Sequence, residues 1–244
     1  AEDTRNAKKL LNFIDCRSKC SSFHEHNEKK VTNLIVKKLI EDQNLKIAII
    51  SDAGTPAISD PGYHLIQECI NHKINFSHIP GPSSLINAVV LSGLPTSSFT
   101  FLGFVPKKKN QKIEFMRSLK KYTETIILFE SGKRLPETIQ YLFEEFSQHN
   151  KISLCREMTK IHETVERGTI ASIIEKINSD ELVLKGEFVI VIEGSSAEFK
   201  NTKLDKKIQK AFLENMPPKD AAKLISMITK ENKRDVYKQL LELD

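Results

Sequence analysis

The stretch SDAGTPAISDPG, residues 51–62, concentrates groups that could contact a small ligand. It follows the apolar run KIAII and precedes YHLIQECI, so it joins a predicted strand to a predicted helix. A connection of that kind needs only about two to six residues. Asp52 and the Thr55 hydroxyl supply polar contacts near the strand end, and the glycines allow the backbone to approach a ligand closely. Towards the end of the stretch, Asp60 is interpreted as the N-cap of the following helix.

A second loop of this kind, PGPSS at residues 80–84, also follows a predicted strand and supplies the hydroxyls of Ser83 and Ser84. Ligands of open α/β sheets bind beyond the carboxyl ends of the strands, where both loops are expected. A carboxylate such as Asp52 suits ribose hydroxyls or an amino group better than a phosphate. No GxxxxGK[ST] is present, and no GxGxxG follows a strand, so P-loop and Rossmann sites are disfavoured. Spacing alone leaves open that both loops are capping turns without a ligand.

The segment FHEHNE, residues 23–28, is the second candidate for chemistry. In an extended conformation His24, His26 and Glu28 would share one face and could bind a metal or move protons. An exposed strand followed by a helix cap at Asn27 is the alternative, and it is favoured because a single HxHxE has no further ligands. The four cysteines show no CxxC spacing and are expected to be free thiols. No metal site is therefore predicted.

Charged segments point to an anionic partner. The chain has a net charge of +5, and residues 200–244 hold 11 Lys/Arg against 7 Asp/Glu. The run KKKNQK, residues 107–112, is basic and lies in a predicted loop. It either binds a polyanionic partner or is simply a charged surface exposed to solvent. Arg5 in AEDTR is a candidate for phosphate contact. The segment CREMTKIHETVERG, residues 155–168, is interpreted either as an exposed ribbon of ion pairs or as an edge that faces substrate.

Strands and helices are predicted to alternate, which indicates an α/β fold with a mostly parallel sheet and helices on its faces. The first α/β domain is expected at residues 1–105, the second at 106–195, and a basic helical tail at 200–244. The predicted strands span residues 46–50, 74–79, 99–104, 125–129, 151–156, 164–168 and 188–192. The tail helices are predicted at 206–214, 219–229 and 234–243. They resemble a helix-turn-helix, which is either a nucleic-acid module or a packing unit.

The composition, 39% hydrophobic and 28% charged, is that of a soluble globular protein. No apolar run approaches the roughly 20 residues of a membrane span, and no secretory signal is visible. The chain starts AEDTR, without Met. We therefore expect that an N-terminal segment is missing from this sequence.

Taken together, these motifs identify a resemblance that covers nearly the whole chain. The motifs AEDTR, FHEHNE, SDAGTPAISDPG, PGPSSLINAVVLSGLP, FLGFVP, REMTKIHET and KGEFVIVIEG occur in one order. In that order the chain resembles the tetrapyrrole methylase superfamily, and within it the branch that methylates small-subunit ribosomal RNA. The first strand of that family and its glycine-containing loop would precede AEDTR, so the resemblance also implies an N-terminal truncation.

The resemblance implies two α/β domains with S-adenosylmethionine bound in the cleft between them, a short helical C-terminal extension, and a homodimer in the bacterial cytoplasm. The implied reaction is methylation of the 2′-hydroxyl of a cytidine in the decoding region of 16S ribosomal RNA, within the small subunit. One alternative is a methylase of a small macrocycle or of a protein side chain. Another is a non-catalytic RNA-binding protein.

Carried onto matching positions, the resemblance also implies site residues. The implied cofactor contacts are Asp52, Thr55, Ser83, Ser84, Glu130, Gly186, Glu187 and Phe188. Because a ribose hydroxyl is a poor nucleophile, a base beside it should help, and His24 or His26 is predicted for that role. Arg5, Lys107, Lys108 and Lys109 are predicted to hold RNA phosphates.

Overall fold

The computed structural model describes residues 1–195, 204, 206–229 and 231–241. The chain divides into two compact units, Ala1–Gly194 and Ser195–Asp244. The helices are α1 (Thr4–Phe13), α2 (Glu28–Glu41), α3 (Tyr63–Asn71), α4 (Ser84–Ser92), α5 (Lys109–Ser118), α6 (Leu135–Glu145), α7 (Ile170–Asn178), α8 (Lys206–Asn215), α9 (Pro218–Thr229) and α10 (Lys233–Leu241). The strands are β1 (Phe99–Phe104), β2 (Thr125–Ser131), β3 (Lys151–Arg156), β4 (Thr164–Thr169) and β5 (Glu187–Ile192).

The five strands form one sheet in the order β1-β2-β5-β3-β4. Only the β1–β2 pair is parallel, and the other three pairs are antiparallel. The prediction of a mostly parallel sheet was wrong, because β5 comes last in the chain yet inserts between β2 and β3 and runs against both. Phe188 of β5 pairs with Glu130 of β2 and with Arg156 of β3. The carboxyl ends of β2 and β3 therefore meet the start of β5 at one edge of the sheet.

The sheet is buried on both faces because its central strands carry apolar side chains at nearly every position. On β2, Ile126 and Leu128 pack into one core while Ile127 packs into another, as the two-residue period of a strand requires. Helices α5, α6 and α7 cover the first face. On the second face, Ala88 and Val89 of α4 pack against the sheet. Helix α4 thereby anchors the PGPSS loop, which immediately precedes it, to the sheet.

Two predicted strands, residues 46–50 and 74–79, are not strands in the structure. A strand needs a ladder of hydrogen bonds to a neighbour, and the described residues provide none for either segment. The segment at 46–50 accepts one backbone bond, from the Glu2 N–H to the Ile50 carbonyl at 3.3 Å. The side chain of Ile79 is 85% exposed. The apolar runs alone therefore misled the prediction, because they do not specify a pairing partner.

The second unit is built from α8, α9 and α10. Its core contains Ala221, Ala222 and Ile225 of α9 with Val236 and Leu240 of α10. These helices confirm the three predicted tail helices to within two residues at each described end. Among the described residues of the chain, no helix combines the length and apolarity needed to cross a membrane.

Candidate functional site

A cleft of about 760 Å³, open to solvent, lies in the first unit where β2 and β3 end and β5 begins. Four stretches of chain meet there: the loop at 53–60, the start of α4, the ends of the strands, and the loop at 157–160. The lining residues are Ala53, Gly54, Thr55, Ile58, Ser59, Asp60, Ser83, Ser84, Leu85, Phe104, Phe129, Glu130, Glu157, Met158, Thr159, Lys160, Glu187, Phe188 and Val189.

The two loops singled out in the sequence lie side by side. The Thr55 hydroxyl donates to the Pro82 carbonyl at 3.3 Å and so connects them. The Ser83 hydroxyl accepts a 3.4 Å bond from the Ile86 N–H and caps α4. Thr55, Ser83 and Ser84 all line the cleft.

Left-handed backbone conformations are concentrated in the cleft loops. Ala57 and Ser59 have φ values of 68° and 62°, and Glu157 and Thr159 have values of 49° and 66°. Residues with side chains avoid this region, and such strained positions cluster at functional sites. The four positions fall in the loops at 53–60 and 157–160, both of which contribute to the lining.

The loop after β3 brings an ion-pair network into the cleft. The Glu157 carboxylate accepts from the Glu187 N–H at 2.9 Å and from Lys160 Nζ at 3.3 Å. Lys160 also contacts Glu187 Oε2 at 2.8 Å. The backbone bond from Glu187 is the main reason that the pKa of Glu157 is lowered. Glu157 and Lys160 of the charged segment at 155–168 are therefore ion-paired and also line the cleft.

Glu130 lines the cleft, but its carboxylate is already hydrogen-bonded and ion-paired within the protein. Glu130 is buried, with 1% of its surface exposed to solvent. The carboxylate accepts from the Ser131 N–H at 2.7 Å and from the Thr138 hydroxyl at 2.8 Å, and it pairs with Arg134 at 2.5 Å. Arg134 in turn donates to the Val105 carbonyl at 3.1 Å. The geometry makes Glu130 an anchor for the end of β2, beside any contact with a ligand.

Asp52 is not among the cleft-lining residues. Its carboxylate accepts from the Asp3 N–H at 3.2 Å and from Asn6 Nδ2 at 3.0 Å. The Asp52 N–H donates to Glu2 at 3.1 Å. Asp52 thus holds the first residues of the chain against the loop at 51–62. Gly186, also a predicted contact, precedes the lining residue Glu187 and is not itself in the lining.

The histidine segment does not have the predicted extended conformation, because residues 25–27 form a turn into α2. The rings of His24 and His26 meet edge to face with centroids 6.0 Å apart. The Glu28 carboxylate accepts from the Gly62 N–H at 2.8 Å and the His64 N–H at 3.3 Å, so it caps α3. Neither histidine lines the cleft. In the described ranges, no group of three metal-ligating side chains was found.

The basic residues predicted to hold phosphates are exposed. Lys107, Lys108 and Lys109 follow closely on β1, whose last residue, Phe104, lines the cleft. Lys112, counted in the same basic run, is instead 1% exposed and pairs with Glu137 at 2.5 Å. Arg5 is exposed and bonds both oxygens of Asp3, at 2.5–3.1 Å.

Comparison with known proteins extends these observations along the chain. Residues 2–174 match the tetrapyrrole (corrin/porphyrin) methylases, and residues 206–244 match the RsmI C-terminal HTH domain. A ribosomal RNA small subunit methyltransferase I of Vibrio cholerae is 35% identical over 99% of this chain and 84% of its own length. The chain belongs to the ribosomal RNA small subunit methyltransferase I family. A Halalkalibacterium halodurans member is 40% identical over 80% of this chain and 66% of its own length.

Solved structures confirm the predicted α/β fold class. A diphthine synthase aligns over 77% of this chain and 73% of its own, with a TM-score of 0.55 and 12% identity. A uroporphyrin-III-C-methyltransferase from Thermus thermophilus aligns over 78% and 80%, with a TM-score of 0.51 and 16% identity. The ribosomal RNA small subunit methyltransferase I family therefore has the tetrapyrrole methylase fold.

Methyltransferases of this family use S-adenosylmethionine, which confirms the predicted cofactor. The residues of the cleft fit it. Phe104, Phe129 and Phe188 offer apolar surface for an adenine ring, and hydroxyls and carboxylates offer partners for the ribose and the amino group. The lining is acidic, with Lys160 as its cation, so it favours a positively charged sulfonium.

Sequence reasoning missed two parts of this site. Asp60 lines the cleft and does not cap α3, whose N-cap position is Gly62. Phe104 was also missed, because it is the last residue of a strand and only the sheet order brings it to the cleft. The open interpretation of residues 155–168 as a substrate-facing edge was the signal that pointed to the loop at 157–160.

Proposed function

We propose that this chain transfers a methyl group from S-adenosylmethionine to the ribose 2′-hydroxyl of a cytidine in the decoding region of 16S ribosomal RNA. The observation that carries the proposal is the match over 99% of the chain to relatives named ribosomal RNA small subunit methyltransferase I. Their bacterial sources support action in the bacterial cytoplasm on the small ribosomal subunit. A homodimer remains part of the proposal.

The proposed cofactor contacts divide between the two halves of the first unit. Thr55, Ser83 and Ser84 supply hydroxyls from one side of the cleft. Glu187 and Phe188, at the start of β5, line the other side. When bound, the cofactor supplies an electrophilic methyl group on a sulfonium. The protein's contribution is to hold the ribose hydroxyl in line with that group and to exclude water, since correct orientation removes much of the barrier. His24 and His26, the residues predicted as the base from the sequence, do not line the cleft.

The reaction is tested with purified protein, small ribosomal subunits and S-adenosylmethionine labelled in its methyl group. A 2′-O-methyl group blocks the hydroxyl whose deprotonated oxygen attacks the neighbouring phosphate in alkali. We therefore expect the label in an alkali-resistant dinucleotide that begins with cytidine. Label in alkali-released mononucleotides would show methylation of a base and would refute the proposal. Absence of cofactor binding in calorimetry would favour the non-catalytic RNA-binding alternative.

The basic run at 107–109 is proposed to hold RNA phosphates. Replacing Lys107, Lys108 and Lys109 together by alanine should weaken binding to small subunits. It should also reduce the magnitude of the slope of log affinity against log salt concentration by about 2 to 3, because each phosphate contact contributes about 0.9 to that slope. Filter binding at several salt concentrations measures this. Replacing Lys29, Lys30 and Lys37 on α2 removes the same charge as a control, and an equal loss there would contradict a specific role.

A further inference from the structure

Asp60 is a carboxylate in the cleft that has no bonding partner in the part of the chain that the structure describes. Asp60 is partly buried and lines the cleft. The helix start that it was predicted to cap is served by Glu28, which accepts from the Gly62 and His64 N–H groups. Asp60 is therefore not needed to start α3.

The other carboxylates of the cleft are all engaged by the protein. Glu130 is held by Arg134, Glu157 by the Glu187 N–H, and Glu187 by Lys160. Protonation of any of them would weaken an ion pair or a hydrogen bond that the protein makes. Asp60 is the cleft carboxylate that can accept a proton without weakening such a bond among the described residues.

The surroundings of Asp60 keep its carboxyl basic. Burial raises its pKa to about 6, and the negative charges of Glu2, Glu187 and Asp52 act in the same direction. Glu2 lies at the start of the chain, Glu187 on β5 and Asp52 on the same loop as Asp60. Glu157 and Lys160 line the same cleft from the loop after β3. A carboxylate with a pKa near 6 is mostly ionised at neutral pH and is still a stronger base than an ordinary aspartate.

We propose that Asp60 is the catalytic base that accepts the proton of the ribose hydroxyl during methyl transfer. This inference rests on the function proposed above. The hydroxyl oxygen forms the new bond to the methyl carbon, the carbon–sulfur bond breaks, and its electron pair stays on sulfur. The hydroxyl proton passes to the Asp60 carboxylate, which later releases it to water. One methylated ribose, one neutral thioether and one proton result.

The test compares Asp60→Asn with the wild-type chain on small ribosomal subunits. We expect kcat to fall by at least about 100-fold, within the range for loss of a general base. Cofactor affinity in calorimetry should stay within threefold of wild type. The wild-type rate should fall below about pH 6 as Asp60 becomes protonated, and the residual rate of the variant should lack that acid limb. Glu41→Gln, an acid-to-amide change on the exposed face of α2, is the matched control.

A second measurement is independent of turnover. Because the folded protein holds the Asp60 proton more tightly than the unfolded chain does, this group reduces stability as pH rises from about 4 through 6. Asparagine does not titrate. The melting temperature of Asp60→Asn relative to wild type should therefore be higher at pH 8 than at pH 4. A difference that does not change with pH would contradict the raised pKa and overturn the proposal.

The outcomes separate this proposal from the proposed function. If wild type labels the ribose and Asp60→Asn keeps a kcat within threefold, the base assignment is wrong and the function stands. If His24→Ala or His26→Ala removes the acid limb and Asp60→Asn keeps it, the base is a histidine. If wild type labels a base or no RNA at all, the proposed function fails, and the role of Asp60 fails with it.

Discussion

Replacing Gly186 by alanine is expected to weaken S-adenosylmethionine binding by at least about tenfold. Gly186 has a φ of +97°, and an added Cβ would lie 2.6 Å from Glu157 Oε1. That carboxylate bonds the Glu187 N–H and Lys160, so it cannot move without disturbing β5 and the loop at 157–160. The added Cβ would therefore displace Glu157 and the start of β5, which line the cleft, and a loss of about 1.4 kcal/mol of binding free energy is tenfold in affinity.

Isothermal calorimetry on the purified variant measures this loss, and chemical denaturation measures stability in parallel. Gly93→Ala is the matched control, because Gly93 has a φ of +75° and its added Cβ would meet no described atom within 4 Å. That variant should lose about 1 kcal/mol of stability through strain alone and should bind the cofactor normally. Wild-type affinity in Gly186→Ala would show that the contact between Gly186 and Glu157 does not shape the cleft.

Glu130→Ala should lower the free energy of unfolding of the first unit by about 3–5 kcal/mol. The change removes the carboxylate that the Arg134 guanidinium, the Ser131 N–H and the Thr138 hydroxyl share. Breaking a buried pair on one side costs this much, because the remaining charge is left uncompensated. Glu130→Gln keeps an acceptor oxygen and should fall between the variant and wild type.

Glu145→Ala is the control for Glu130→Ala, and urea denaturation measures both. Glu145 also bonds two cations, Arg117 at 3.0 Å and Lys120 at 2.7 Å, but both cations are exposed. Exposed pairs contribute less than about 1 kcal/mol. If the two alanine variants lost similar stability, the Glu130 carboxylate would not be the anchor of β2.

Local signals in the sequence were enough for most helices. Asp3 accepts from the Arg5 N–H and starts α1, and Ser83 accepts from the Ile86 N–H and starts α4, as residues of these types commonly do. The strands of the second half were equally local, because β2, β3 and β5 are short runs of buried apolar residues.

Features that depend on distant partners could not be predicted from local signals. Asp60 has the residue type and position of a cap, yet Glu28, far away in sequence, supplies the cap instead. Lys112 stands in a run of lysines and is buried only because Glu137 on another helix pairs with it. The sheet order likewise depends on where β5 inserts, which no run of apolar residues encodes. The sequence therefore located the loops of the candidate site better than the roles of their carboxylates.

The bond from Glu28 to α3 has a consequence for divalent cations. Small ribosomal subunits are handled in magnesium, and a carboxylate two residues after a histidine would ordinarily compete for such ions. Here a cation on Glu28 would compete for the carboxylate with the Gly62 and His64 N–H groups and weaken the first turn of α3. Binding of a divalent cation at FHEHNE would thus disturb the loop that carries Asp60, because the same Glu28 carboxylate holds the start of α3.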